Sequence, residues 1–218
     1  MGKTHMKILC LSAHVDDSEG GCGGSIAKFI EEGKDVYLAV FSLAEESLPK
    51  GLPSDTLLYE EKAAAKVLGV KSQNLFVYRY SVRKFPQFRQ EILEDLVKLN
   101  KEINPDLVLL PSRYDLHQDH HTIATEGLRA FKFTSILGYE MPWNNIEFRA
   151  TAFVILDRDC IEKKVEALHC YKSQELRLKL SGRNESDLEY VRALARVRGQ
   201  QIKTDYAEAF NVMRWIVK

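Results

Sequence analysis

Four of the six histidines in this 218-residue chain fall in two short segments that are also rich in aspartate. The first is Ala13-His14-Val15-Asp16-Asp17-Ser18, and the second runs from Pro111 through Asp115, His117, Asp119 and His120 to His121. Two imidazoles and one carboxylate make a three-ligand set with one position left open, the pattern of a catalytic rather than a structural zinc site. His14, Asp17 and a histidine of the second segment offer that set. A structural site would close with four protein ligands, usually including cysteine, and Cys10, Cys22, Cys160 and Cys170 form no C-x-x-C pair. Asp16, beside Asp17, can accept a proton from water acidified by the metal. Either segment alone reads equally well as a turn or helix cap; both together at one sheet edge point to a metal.

The elements that must bring the two segments together read as alternating strands and helices. Ile8–Ala13 is a short apolar run suited to a buried parallel strand. Glycines 20, 21, 23 and 24 lead into a helix over Ser25–Glu32 that ends at Gly33. Val36–Phe41 is the next strand, followed by a rim or lid loop over Ala44–Ser54. Then come a helix over Asp55–Leu68, a strand over Asn74–Tyr78, a helix over Gln87–Ile103, a strand over Leu107–Leu110 and a helix over Thr122–Phe131. The later part adds a strand at Ala152–Leu156, a helix at Cys160–Tyr171, a capping box Ser186-x-x-Glu189 opening a helix to about Arg198, and a closing strand in Ala209–Val217. The order predicts an α/β fold, one Rossmann-like and mostly parallel sheet with helices on both faces. Ligands of such sheets bind at the carboxyl ends of strands, where both segments emerge. Residues 1–5 read as an added or disordered leader and 6–218 as a single domain, so His5 is left out of every ligand set.

Composition removes several classes. Lys+Arg and Asp+Glu both count 31, so a nucleic-acid or anionic-membrane partner has no electrostatic footprint. No apolar run approaches the ~20 residues of a membrane helix, and a signal-peptide core is missing, which reads as cytoplasmic. Free thiols fit that compartment. The glycine cluster is a weak dinucleotide signal: the third glycine of G-x-G-x-x-G would stand at position 26, which is Ile26. Ser12 has no partner base in sequence, and His169 reads as a helix-face histidine.

Ala13-His14-Val15-Asp16-Asp17 followed by Gly21-Cys22-Gly23-Gly24 resembles the A-H-P-D-D-E…G-G signature of the GlcNAc-phosphatidylinositol de-N-acetylase (PIG-L/LmbE-like) family. His117-Gln118-Asp119-His120 resembles its H-P-D-H signature, and Tyr206-Ala207-Glu208-Ala209-Phe210 its ending. The resemblance covers most of the chain, most thinly between about 130 and 190. It implies His14, Asp17 and His120 as ligands of Zn2+ or another divalent ion, and Asp16 as general base. It further implies that His117 stabilises the oxyanion and protonates the amine, with Asp119 pairing with His117 and keeping it protonated. His121 is the competing ligand. Val15, Ser18 and Gln118 depart from the signatures without removing a ligand, base or acid.

The implied reaction is hydrolysis of the N-acetyl group of an N-acetylglucosamine-type amino sugar conjugate, a small-molecule partner. The resemblance also implies homo-oligomers. Arg113 and Tyr114 are candidates for holding the sugar, and Tyr139 and Trp143 for stacking on its ring. Two other classes stay open: a metal-assembled sugar-binding protein without turnover, and a nucleotide-binding protein without a tightly held metal.

Overall fold

The computed structural model describes residues 5–182 and 188–217. Its centre is a seven-stranded sheet: β1 (Lys7–His14), β2 (Asp35–Ser42), β3 (Leu75–Val77), β4 (Leu107–Pro111), β5 (Ser135–Tyr139), β6 (Ala152–Leu156) and β7 (Tyr206–Arg214). The spatial order is β3-β2-β1-β4-β5-β7-β6. The first five strands are parallel, and β7 runs antiparallel between β5 and β6. From β1 the chain crosses to β2 on one side, and from β4 to β5 on the other. The crevice between these two strands is therefore the topological switch point, where α/β sheets place ligands.

Alternation along β1 shows why the sheet is buried on both sides. Ile8 and Cys10 enter one core with Ile26, Leu38, Leu57 and Ile161. Leu9 and Leu11 enter the other with Phe41, Leu96, Val108 and Ile123. The first core is covered by α1 (Asp17–Glu31), α2 (Thr56–Leu68) and α5 (Arg158–Leu168), the second by α3 (Arg89–Ile103) and α4 (Gln118–Ala130). Two further helices, α6 (Lys172–Leu180) and α7 (Glu189–Gln200), complete the described α-helices. Among the described residues no helix is long and apolar enough to cross a membrane.

Several boundaries differ from the sequence reading. The glycines at 20–24 do not lead into the first helix; they lie inside α1, which starts at Asp17. Their lack of side chains is what lets neighbours close in. A Cβ at Gly21 would lie 2.2 Å from Cδ2 of Tyr139, and one at Gly24 2.6 Å from Leu156. The helix kinks at Cys22 (φ −146°, ψ 23°), and its second half restarts with free N–H groups. Glu208 of β7 caps them, accepting from Gly24 N (3.1 Å) and Ser25 N (2.7 Å) while binding Lys164 Nζ at 2.6 Å. The strand β5 was not anticipated. The helix expected over Cys160–Tyr171 is α5, which stops at Leu168 because the turn at 169–171 is anchored by the Tyr171 hydroxyl on buried Glu61 (2.7 Å); α6, which follows, was not anticipated. α4 begins four residues earlier than expected, and Ser186 of the capping box lies outside the described residues.

Candidate metal centre and active site

β1 ends at His14, and the next turn is set by Asp16 in the left-handed region (φ 66°). This conformation costs a non-glycine residue about 1–2 kcal/mol. It turns the chain so that Asp17 opens α1 and its carboxylate returns to the strand end, accepting from the His14 N–H at 2.7 Å. Across the switch point, β4 runs into a turn at Ser112–Asp115. His117 then caps α4, its Nδ1 accepting from the Asp119 N–H at 3.2 Å. His120 sits in the first turn of α4 and faces β1.

Three potential ligand atoms converge: His14 Nδ1, His120 Nε2 and Asp17 Oδ2. Their separations are 3.2 Å (His14–His120), 3.3 Å (His120–Asp17) and 3.5 Å (His14–Asp17). A tetrahedral ion with bonds of about 2.0–2.2 Å needs ligand–ligand edges of roughly 3.3–3.6 Å. Two of the three separations fall in that range and the third is about 0.1 Å short of it, so the donors present fit one face of such a tetrahedron. The nitrogen of each imidazole that faces away is held by a carboxylate. His14 Nε2 meets Asp119 Oδ2 at 2.9 Å, and His120 Nδ1 meets Asp115 Oδ2 at 2.7 Å. Carboxylate partners of this kind fix the tautomer and raise ligand basicity. Both are buried, and Asp119 is tied further by the N–H groups of Arg83 and Phe85 (3.1 Å for the latter). His117 completes a histidine triangle whose ring nitrogens lie within 4.8 Å of one another.

The electrostatics follow from this packing. Burial opposes a charge on His120, but the Asp17 and Asp115 carboxylates outweigh it and lift its pKa to about 10. The same competition raises His14, through Asp119 and Asp17. Although burial works against its ionised form, Asp17 is held well below the carboxylate range by His120 and His14. Burial, with the Asp17 and Glu19 carboxylates, pushes Asp16 up to about 8. A divalent charge beside it would draw that value down and leave a base at neutral pH.

Two sequence expectations need correction here. The Asp119 carboxylate pairs with His14, not with His117, which receives only the Asp119 backbone N–H. His117 is moreover lowered from its ordinary pKa, by burial and then by His120 and His14, which disfavours its charged form. Because its Nδ1 accepts a hydrogen bond, its proton sits on Nε2.

The substrate candidates separate. Tyr139 is fully buried, its ring against Gly21 and its hydroxyl on the Leu11 carbonyl at 3.0 Å; it is a core residue and has no face for a sugar. Arg113 and Tyr114 line a groove with Leu128, Arg149, Asn211 and Met213 that contains none of His14, Asp17 and His120. Trp143 is exposed and reaches to within 3.9 Å of where a Gly20 side chain would be, one turn beyond Asp16 and Asp17. Tyr190 of α7 meets it edge-on at 5.6 Å. The sequence reading missed Tyr190, Asp115 and the Arg83–Phe85 segment. For Asp115 a signal existed, an aspartate five residues before a candidate ligand histidine, but that spacing straddles a helix cap and matches no regular period.

The sequence model of GlcNAc-PI de-N-acetylase (PIG-L) matches residues 9–131, a stretch holding both chemical segments. Diacetylchitobiose deacetylase of Thermococcus kodakarensis is 28% identical over 138 residues, 60% of this chain and 51% of that protein. The chain thus spans about half the length of that relative. Among solved structures, N,N'-diacetylchitobiose deacetylase from Pyrococcus horikoshii superposes with a TM-score of 0.78 at 22% identity, covering 97% of this chain and 85% of that one. The 4-carboxy-2-hydroxymuconate hydratase GalB of Pseudomonas putida superposes with a TM-score of 0.76 at 22% identity, covering 98% of both chains. At these identities the superpositions establish the fold, and the fold alone does not choose the reaction. More than half of the chain, including both the β1 and the β4 ends that build the site, matches one family, and on that ground the chain belongs to the PIG-L family.

Proposed function

We propose that the protein is a zinc-dependent N-deacetylase that hydrolyses the acetamide of an N-acetylglucosamine-type amino sugar conjugate, releasing acetate and a free amine. The observation that carries this reading is the convergence of His14, Asp17 and His120 with Asp16 in the turn between two of them. When bound, a zinc ion supplies Lewis acidity for the carbonyl oxygen and acidifies nearby water. Two imidazoles and a carboxylate suit that ion. Relatives whose names say deacetylase, among them one acting on diacetylchitobiose, support the substrate class.

The chain's own residues divide the remaining work. Asp16 takes a proton from the attacking water and then holds the proton that the departing amine needs. His117 presents Nε2–H as a neutral donor where negative charge develops on the carbonyl oxygen; losing one such donor costs roughly 3–4 kcal/mol in other systems. Asp119 and Asp115 are positioning residues, acting through His14 and His120. Trp143 offers an exposed aromatic face beside the site for a sugar ring. A small-molecule conjugate encountered in the cytoplasm completes the reading.

The test is primary-amine release from a panel of N-acetylglucosaminyl compounds by zinc-loaded protein, with Asp16→Ala alongside. Release by the wild type, lost in the variant while zinc stays bound, is the expected result. Equal release by Asp16→Ala would remove the mechanism; silence of the wild type with zinc bound would favour a sugar-binding protein without turnover.

A further inference from the structure

Arg83 stands at the rim of the metal site in an unusual posture. Its backbone is left-handed (φ 67°), and its N–H donates to the Asp119 carboxylate that orients His14. A strained non-glycine position persists only where its surroundings over-determine it, and such positions concentrate at ligand sites. The side chain is exposed, and among the described residues its one polar contact is Ser47 Oγ at 3.5 Å, across to the rim loop. No carboxylate lies within ion-pair distance of its guanidinium among the described residues. The neighbouring arginines differ: Arg79 is paired with Glu45 and Arg89 with Glu126. Nor is the guanidinium needed to balance Asp119, whose oxygens already receive His14, Arg83 N–H and Phe85 N–H.

We infer that Arg83 is a specificity-determining residue that binds an oxyanion, a phosphate or a carboxylate, on the group linked to the amino sugar. The inference rests on the deacetylase reading and narrows its substrate to an anionic conjugate. A guanidinium offers the planar fork that matches either oxyanion with two hydrogen bonds. Because the chain is neutral overall, the attraction comes from this rim rather than from the field of the whole protein.

Three probes test this on zinc-loaded protein: the methyl glycoside of N-acetylglucosamine, its carboxymethyl glycoside, and N-acetylglucosamine 1-phosphate. We expect kcat/KM at least tenfold higher for one of the charged probes, and which one it is distinguishes carboxylate from phosphate. Arg83→Gln keeps the N–H that holds Asp119. It should raise KM for the favoured probe at least tenfold with little change in kcat, and Arg83→Lys should recover part of the loss. Equal turnover of neutral and charged probes would overturn the inference, as would an equal loss on all three in Arg83→Gln. The same probes titrated calorimetrically into Asp16→Ala protein read the preference without turnover. A charged-probe preference lost with Arg83→Gln, in a protein that releases no amine, would sink the deacetylase reading and keep this one.

Discussion

Replacing Asp119 by Asn changes one oxygen to NH2 at constant shape, at a buried position where every acceptor is in use. Oδ2 serves His14 Nε2 and the Arg83 N–H, and Oδ1 serves the Phe85 N–H. With the amide oxygen kept on the His14 side, NH2 faces the Phe85 N–H, donor against donor. That leaves one buried donor unsatisfied, about 1–3 kcal/mol. For a domain of this size each kcal/mol lowers Tm by roughly 2–4 °C, so the metal-free variant should melt roughly 2–12 °C lower. The metal reads the change separately: without a carboxylate behind it, His14 loses basicity and orientation, and affinity should fall about 10–100-fold. Zinc competition against a fluorescent chelator measures the second effect, and melting in excess EDTA the first. Asp115→Asn, behind His120, should behave alike. If Asp119→Asn binds zinc within threefold of wild type and alters only the pH–rate profile, then Asp119 serves His117 rather than His14, and the geometric argument is wrong.

Three more outcomes follow from the same packing. His120, lifted to about 10, is protonated at neutral pH in the metal-free protein, so zinc must displace that proton. Apparent zinc affinity should therefore strengthen by up to tenfold per pH unit between about 6.5 and 10. The stability His120 lends the metal-free fold is complete below about 6.5 and fades as pH rises through 10. A pH-independent zinc affinity would contradict both statements. Gly21→Ala drives a Cβ into the buried Tyr139 ring and should cost about 1–3 kcal/mol despite its better helix propensity, whereas Gly20→Ala, 3.9 Å from its nearest neighbours, should be neutral or slightly stabilising; paired thermal melts decide. Glu208→Gln leaves the Lys164 ammonium buried without its partner and should cost about 3–5 kcal/mol; adding Lys164→Met should recover part, and a single-variant loss under 1 kcal/mol in denaturant titration would refute the pairing.

The chemistry was legible because it lies where sheet topology puts it. Apolar runs at 8–13 and 107–110 read as buried strands, and the residues after them had to share an edge. What the sequence concealed depends on partners far along the chain. Glycine-rich 20–24 has poor helix propensity, and only the close approach of Tyr139 and Leu156 makes a helix worthwhile there. β5 is five residues, Ser-Ile-Leu-Gly-Tyr, too short for a pattern and interrupted by Gly138; its strand character comes from pairing with β4 and β7. Tyr139 read as a sugar-stacking aromatic because nothing local says that its hydroxyl finds Leu11. The Asp119 partner was misassigned for a similar reason: sequence neighbours suggested His117, whereas the helix cap turns that carboxylate toward β1.

The carboxylate of Glu208 on the N–H groups of Gly24 and Ser25 spans 184 and 183 positions of chain. During synthesis the segment that begins with Asp17 emerges well before the acceptor that closes its kink, which lies 184 positions beyond Gly24. Until then the first helix has two exposed donors in its middle and no reason to bend at Cys22. Maturation of the metal loop is thus tied to arrival of β7, so the nascent chain should acquire high-affinity zinc binding late and in one step rather than gradually as its strands are added.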